Sequence, residues 1–179
     1  MNKETIVVNL LGGPCSGKST FCASIFAQLK WKEVNCEMAL EYAKDHVWEG
    51  TEKILENQFY VFGQQQNRLY RLNGKVDVII TDSPLLLSII YDAKKSYEFR
   101  NLILKEHNNY NNMNFFIERA KPYNSKGRLQ TEKEAKQIDL EIKEIFHKNN
   151  IIYETIRGIP ENSEIIVNKI LKKLKSISS

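Results

Sequence analysis

The segment Gly12-Gly13-Pro14-Cys15-Ser16-Gly17-Lys18-Ser19 constrains this chain more than any other feature, because it satisfies G-x-x-x-x-G-K-[ST] in full. The spacing has a physical reason. Small residues let backbone N–H groups curve inward around phosphate oxygens, and a helix that starts at the end of the loop aims its positive end at the same anion. The flanks agree with that reading. Ile6–Leu11 is a short, branched, apolar run of the buried-strand type, and Lys18 to Leu29 reads as a helix with Phe21, Ile25 and Leu29 on one face. The pattern alone arises by chance in on the order of one percent of chains this long. Gly12, Gly13, Pro14, Cys15, Ser16 and Gly17 are expected to wrap nucleotide phosphates. Lys18 is expected to reach the β and γ phosphates, Ser19 to ligate Mg²⁺ through its hydroxyl, and Thr20 to carry the segment into the helix.

What the motif leaves open is the reaction, and absences narrow it. No N-K-x-D signature and no D-x-x-G after the loop are present, which argues against a switch GTPase. The run Val76–Thr81 reads as a central strand that ends in Asp82, and Ser83-Pro84 follow where motor ATPases usually place a water-activating Glu. A small phosphoryl-transfer enzyme remains.

The rest of the chain reads as βαβ units. Val34–Leu40, Met113–Glu118 and Ile151–Ile156 are further strands. Tyr42–Leu55 and Asn57–Leu72, interrupted near Glu49-Gly50, read as helices, as do Leu85–Tyr91, Glu98–Asn108 and Glu161–Ile177. Thr131-Glu132-Lys133-Glu134 has capping-box spacing, and Ala135, Ile138, Ile142, Ile145 and Phe146 form the buried stripe of the helix it opens. Strands alternating with helices predict an α/β fold: a five-stranded parallel sheet flanked by helices, with ligands beyond the carboxyl ends of the strands. The length of 179 residues fits one domain over 1–179. A hydrophobic fraction of 42% suffices for a core without metal or disulfide, and a net charge of +4 falls short of a dedicated nucleic-acid footprint. Cys15, Cys22 and Cys36 lack CxxC spacing, and the one early apolar run is too short to span a bilayer, so a soluble cytoplasmic protein without membrane partners is expected.

Several side chains around the cradle carry expectations of their own. Asp82 can hold the Mg²⁺ shell as a Walker-B acid does, or cap the next helix. Glu41 can accept or orient the proton of an acceptor hydroxyl, or serve as an ordinary first-turn Glu, and Glu37 reads as surface. The loop 119–131 is the candidate lid, with Arg119 and Arg128, two of only six arginines, facing the transferred phosphoryl group. Tyr42, Trp48, Phe59, Tyr60 and Phe62 either stack on a planar ligand or belong to the core.

Taken with Glu41-Tyr42-Ala43-Lys44, Ile79-Ile80-Thr81-Asp82, Gly127-Arg128-Leu129-Gln130-Thr131 and Asn149-Asn150-Ile151-Ile152-Tyr153, the motif makes the chain resemble a P-loop kinase family. That family is typified by the ribosylnicotinamide kinase domain of the bacterial bifunctional NAD-biosynthesis regulator. Small phage and bacterial proteins of the "AAA family ATPase" kind are similar. The resemblance implies a nucleoside- or nucleotide-kinase-like P-loop NTPase that uses ATP and Mg²⁺. It places a nucleoside-like acceptor of the nicotinamide riboside type near Glu41 and Asp82, and the lid arginine at Arg128. Two alternatives stand beside it: a phage kinase acting on hydroxymethylated pyrimidines within DNA, and a nucleotide-binding ATPase or switch module. Neither the acceptor nor the oligomeric state follows from the residues.

Overall fold

The strand that feeds the motif occupies the centre of the sheet. The structure, a computed structural model, describes residues 4–124 and 130–178. Its strands are β1 (Ile6–Leu11), β2 (Cys36–Ala39), β3 (Val78–Thr81), β4 (Asn111–Glu118) and β5 (Glu154–Arg157). They form one sheet in the order β2-β3-β1-β4-β5, and every neighbouring pair is parallel. The expected α/β architecture is therefore present. The helices are α1 (Lys18–Trp31), α2 (Tyr42–Glu49), α3 (Gln58–Tyr70), α4 (Leu87–Tyr91), α5 (Tyr97–Asn108), α6 (Glu132–Lys148) and α7 (Ser163–Ser178).

Alternation along β1 divides the core in two. Ile6, Val8 and Leu10 pack with Phe21, Ile25 and Leu29 of α1 and Ile166, Val167 and Ile170 of α7. Val7 and Leu11 face the opposite layer, where Phe62, Phe99, Ile103, Ile142 and Phe146 cover the sheet. Asn9 lies on β1 between Val7 and Leu11, is 1% exposed, and donates to the amide oxygens of Asn112 and Asn114 on β4. A buried amide is tolerable because these bonds satisfy it, and they couple β1 to β4 by side chains as well as backbone.

Two of the strand starts that differ from the sequence expectation do so for a backbone reason. Val34 does not open β2, because α1 ends in a Schellman motif: Glu33 takes φ +59°, and the Glu33 and Val34 N–H groups donate to Lys30 O and Leu29 O. Ile151 does not open β5 for the same reason. Asn150 takes φ +52°, and the Asn150 and Ile151 N–H groups donate to His147 O and Phe146 O at the end of α6. The expected interruption near Glu49-Gly50 is present. Gly50 at φ +66° ends α2, and Glu52–Glu56 form a separate 3-10 turn. Gly63, by contrast, leaves α3 unbroken.

Candidate active site

All five strands point their carboxyl ends at one region, and the motif loop is its floor. Gly12 has φ +145°, and a Cβ there would sit 2.7 Å from Ser16 Oγ and 2.8 Å from Ile117 O. Gly17, at φ +100°, takes the N-cap position of α1 with no side-chain cap and no acid in the first turn. Such a helix end carries partial positive charge that no side chain of its own neutralises. Ser16 is 2% exposed, and its Oγ has no hydrogen-bond partner among the described residues. The Lys18 ammonium donates to Gly12 O at 2.7 Å and Gly13 O at 3.1 Å, so it lies over the loop. A buried hydroxyl without a partner, a cation and an uncapped helix end on one glycine-bent turn fit an anion with several oxygens.

Beside this floor, β3 is the direct neighbour of β1, with Thr81 opposite Asn9. Asp82 follows Thr81, so this register sets it beside Leu10, two residues before the loop begins at Gly12. It is 3% exposed. It does not cap α4, whose N-cap position is Leu86. Its Oδ1 instead accepts the Glu41 N–H at 3.1 Å, which fixes the turn from β2 into α2. The buried Cys22 thiol has its pKa pushed up, first by burial and then by the neighbouring Asp82 carboxylate. Cys22 is thus an inert core group. Glu41 occupies the N-cap position of α2 without making a side-chain cap.

Among the described residues no group of three or more His, Cys, Asp or Glu could hold a metal by itself. A Mg²⁺ ion takes hard oxygen ligands and keeps several waters, and is commonly shared between one or two protein oxygens and phosphate. The Ser19 hydroxyl and the buried Asp82 carboxylate match that donor chemistry.

One cavity of about 460 Å³ joins the loop to Glu41 and Ser83, and the Asp82 side chain does not line it. Pro14 to Thr20 line it together with Glu41, Lys44, Gln58, Gln65 and Tyr91, and Val47, Leu55 and Val61 add apolar lining. The volume suits a small organic ligand. Lys121, Pro122 and Asn124 of the expected lid also border it. Arg128 lies outside the described residues.

Other expectations are redistributed. Arg119 does not line the cavity. Its guanidinium pairs with Asp139 at 3.0 Å and donates to Pro14 O at 2.9 Å, behind the loop. Glu37 pairs with Lys30 at 3.3 Å on the surface. The aromatic stretch splits. Phe62 and Phe59 pack on Phe99, whereas the Tyr42 hydroxyl donates to the Tyr60 hydroxyl, a bond that pushes the Tyr42 pKa up to about 12. Trp48 is 71% exposed.

Two site residues are hidden in helical patterns. Gln65 is 3% exposed. Its Oε1 accepts the Tyr42 N–H and its Nε2 donates to Ala39 O, so α3 clamps the β2–α2 turn. Asp139 accepts the Gly13 N–H at 2.6 Å. The signal that could reveal them is positional: each polar residue sits inside a buried stripe, Gln65 between Val61 and Leu69, Asp139 between Ala135 and Ile142.

Comparison with known families adds one finding. The family model described as an AAA domain matches residues 7–162. No curated protein matches the chain.

Proposed function

This chain belongs to the AAA domain family and carries its P-loop NTPase fold, and we propose that it is a Mg²⁺-dependent phosphotransferase moving the γ-phosphoryl group of ATP to a hydroxyl of a small nucleoside-like acceptor. The family admits hydrolysis or phosphotransfer. The observation that favours transfer is the continuous cavity that runs from the phosphate loop to Glu41, Gln58 and Gln65. A hydrolase needs room for one water at the γ-phosphate. Here the lining beyond the loop includes apolar side chains and the Gln58 and Gln65 amides, which suit a planar heterocycle with polar edges.

In this reading Gly12 to Thr20 hold the triphosphate through backbone N–H groups and the α1 terminus. Ser19 and Asp82 would hold Mg²⁺, which would supply charge neutralisation on the phosphate oxygens. Glu41 accepts the proton of the acceptor hydroxyl as its oxygen forms a bond to the γ-phosphorus and the bond to the β-bridging oxygen breaks, leaving ADP. Lys18 and Arg128 balance the charge on the transferred group. The bond from the Glu41 N–H to Asp82 Oδ1 ties the metal ligand to the backbone of the residue that carries the proton acceptor. The resemblance to ribosylnicotinamide kinases suggests nicotinamide riboside as the first acceptor to try.

A second reading, a kinase for hydroxymethylated pyrimidines in DNA, is favoured by one feature: Lys44 lines the cavity and Trp48, one turn further along α2, is exposed. A cation beside an exposed aromatic ring suits a nucleic-acid strand. Transfer of γ-labelled phosphate to a panel of nucleosides, nicotinamide riboside and hydroxymethylated duplex DNA separates the two. Label in a free nucleoside phosphate is expected, label retained in duplex DNA selects the second reading, and label only in inorganic phosphate refutes both.

A further inference from the structure

The phosphate loop is gripped from outside the cavity by a carboxylate. Asp139 Oδ1 accepts the Gly13 N–H at 2.6 Å, and Asp139 Oδ2 pairs with Arg119 Nη1 at 3.0 Å. Arg119 Nη2 donates to Pro14 O at 2.9 Å. The two side chains and the consecutive residues Gly13 and Pro14 therefore close a ring of three charge-assisted contacts around one turn of the loop. Both side chains are mostly buried, at 19% and 11% exposure, where such bonds are strong and directional. Only glycine permits the approach: a Cβ on Gly13 would meet Ala135 O at 2.4 Å and Asp139 Oδ1 at 2.9 Å.

The arrangement has an electrostatic cost. A carboxylate within hydrogen-bond reach of a phosphate loop repels the polyanion the loop is built to take, unless a cation cancels it. Arg119 is that cation. We propose that Asp139 and Arg119 are positioning residues: Asp139 pre-forms the loop by holding the Gly13 N–H, and Arg119 both braces Pro14 and cancels the Asp139 charge seen by the nucleotide. This rests on the loop being a nucleotide cradle, and it makes a prediction that simple scaffolding does not. Removing Arg119 alone should harm nucleotide binding more than removing Arg119 together with the Asp139 charge.

The test measures dissociation constants for Mg²⁺ and a fluorescent N-methylanthraniloyl-ATP with the wild type, Asp139→Asn, Arg119→Ala and the double variant. Amide hydrogen exchange of the nucleotide-free proteins accompanies it. Arg119→Ala is expected to weaken binding at least tenfold, and the double variant to recover to the affinity of Asp139→Asn. Exchange at Gly13, Cys15 and Ser16 should quicken about tenfold in each single variant while α7 stays as in the wild type. Single variants with wild-type affinity and exchange, or losses that merely add in the double variant, would overturn the proposal. If Arg119→Ala does not fold, Arg119→Gln takes its place in the cycle. If the wild type binds no nucleotide, the functional reading fails, and unchanged loop exchange in Asp139→Asn then refutes the brace by itself.

Discussion

Replacing Gly13 with alanine tests the packing that sets the loop's position. The added methyl would lie 2.4 Å from Ala135 O, whereas ordinary contact begins near 3.4 Å. Loop and helix must therefore part by about 1 Å. Helix α6 cannot supply the movement, because Ala135 is buried and Ile138 and Ile142 belong to the core. The loop must yield instead, which stretches the 2.6 Å bond from Gly13 N–H to Asp139 beyond hydrogen-bond range. Overpacking costs about 1–3 kcal/mol and a lost charged hydrogen bond about 1.5–3, the two overlapping, so a total of about 2–4 kcal/mol is expected. For a chain of this size that lowers Tm by about 5–15 °C. Gly63→Ala is the matched control. It lies inside α3 with nothing within 4 Å of the methyl it would gain, so the helix gains about 0.5–1 kcal/mol and Tm rises by about 1–4 °C. Thermal unfolding by circular dichroism reads both. A Gly13→Ala protein that melts with the wild type, or shifts upward like Gly63→Ala, would refute the packing argument.

Three further outcomes are expected. Lys18→Ala should lower turnover about 10²–10³-fold with an unchanged far-ultraviolet spectrum, and near-normal turnover would remove Lys18 from the phosphate site. Burial holds the His107 imidazole down to about 4, against an ordinary 6.5. Between those values the unfolded chain binds a proton that the folded chain refuses, so stability is full above about pH 6.5 and declines by about 3 kcal/mol toward pH 4. Denaturant unfolding across that window should show the slope, and His107→Asn should flatten it if the histidine is its source. Thr131→Ala removes the capping box at the start of α6, in which the Thr131 Oγ accepts the Glu134 N–H and the Glu134 carboxylate accepts the Thr131 N–H. A loss of about 1 kcal/mol is expected in the same assay, and an unchanged midpoint would show that the cap is idle.

Local pattern carries much of this structure. The strand before the motif, the helix after it and the stripe Ala135–Phe146 each follow from periodicity that tertiary contacts then reinforce. Val34 and Ile151 mislead as strand starts because an apolar residue after a helix serves two purposes. It can begin a strand, or it can fold back as the apolar partner of a Schellman cap, and only the positive φ of Glu33 and Asn150 tells them apart. The order β2-β3-β1-β4-β5 is long-range information that no window of residues contains. The same holds within the site. Glu41 and Asp82 are visible from their places at strand ends, yet the bond between them crosses 41 positions of sequence. Arg119 reads as a lid cation in the sequence because its partner Asp139 looks like one more solvated acid on α6. Helical spacing can flag it, since an acid between Ala135 and Ile142 falls within the buried stripe.

The central claim is that the turn from Gly12 to Ser19 holds a nucleoside triphosphate by its phosphates. Calorimetric titration of the wild type and Lys18→Ala with Mg²⁺-ATP tests it most directly. The account predicts one site per chain in the wild type and a loss of affinity of at least tenfold in the variant. An absence of binding to the wild type, or equal affinity in the two proteins, would contradict it.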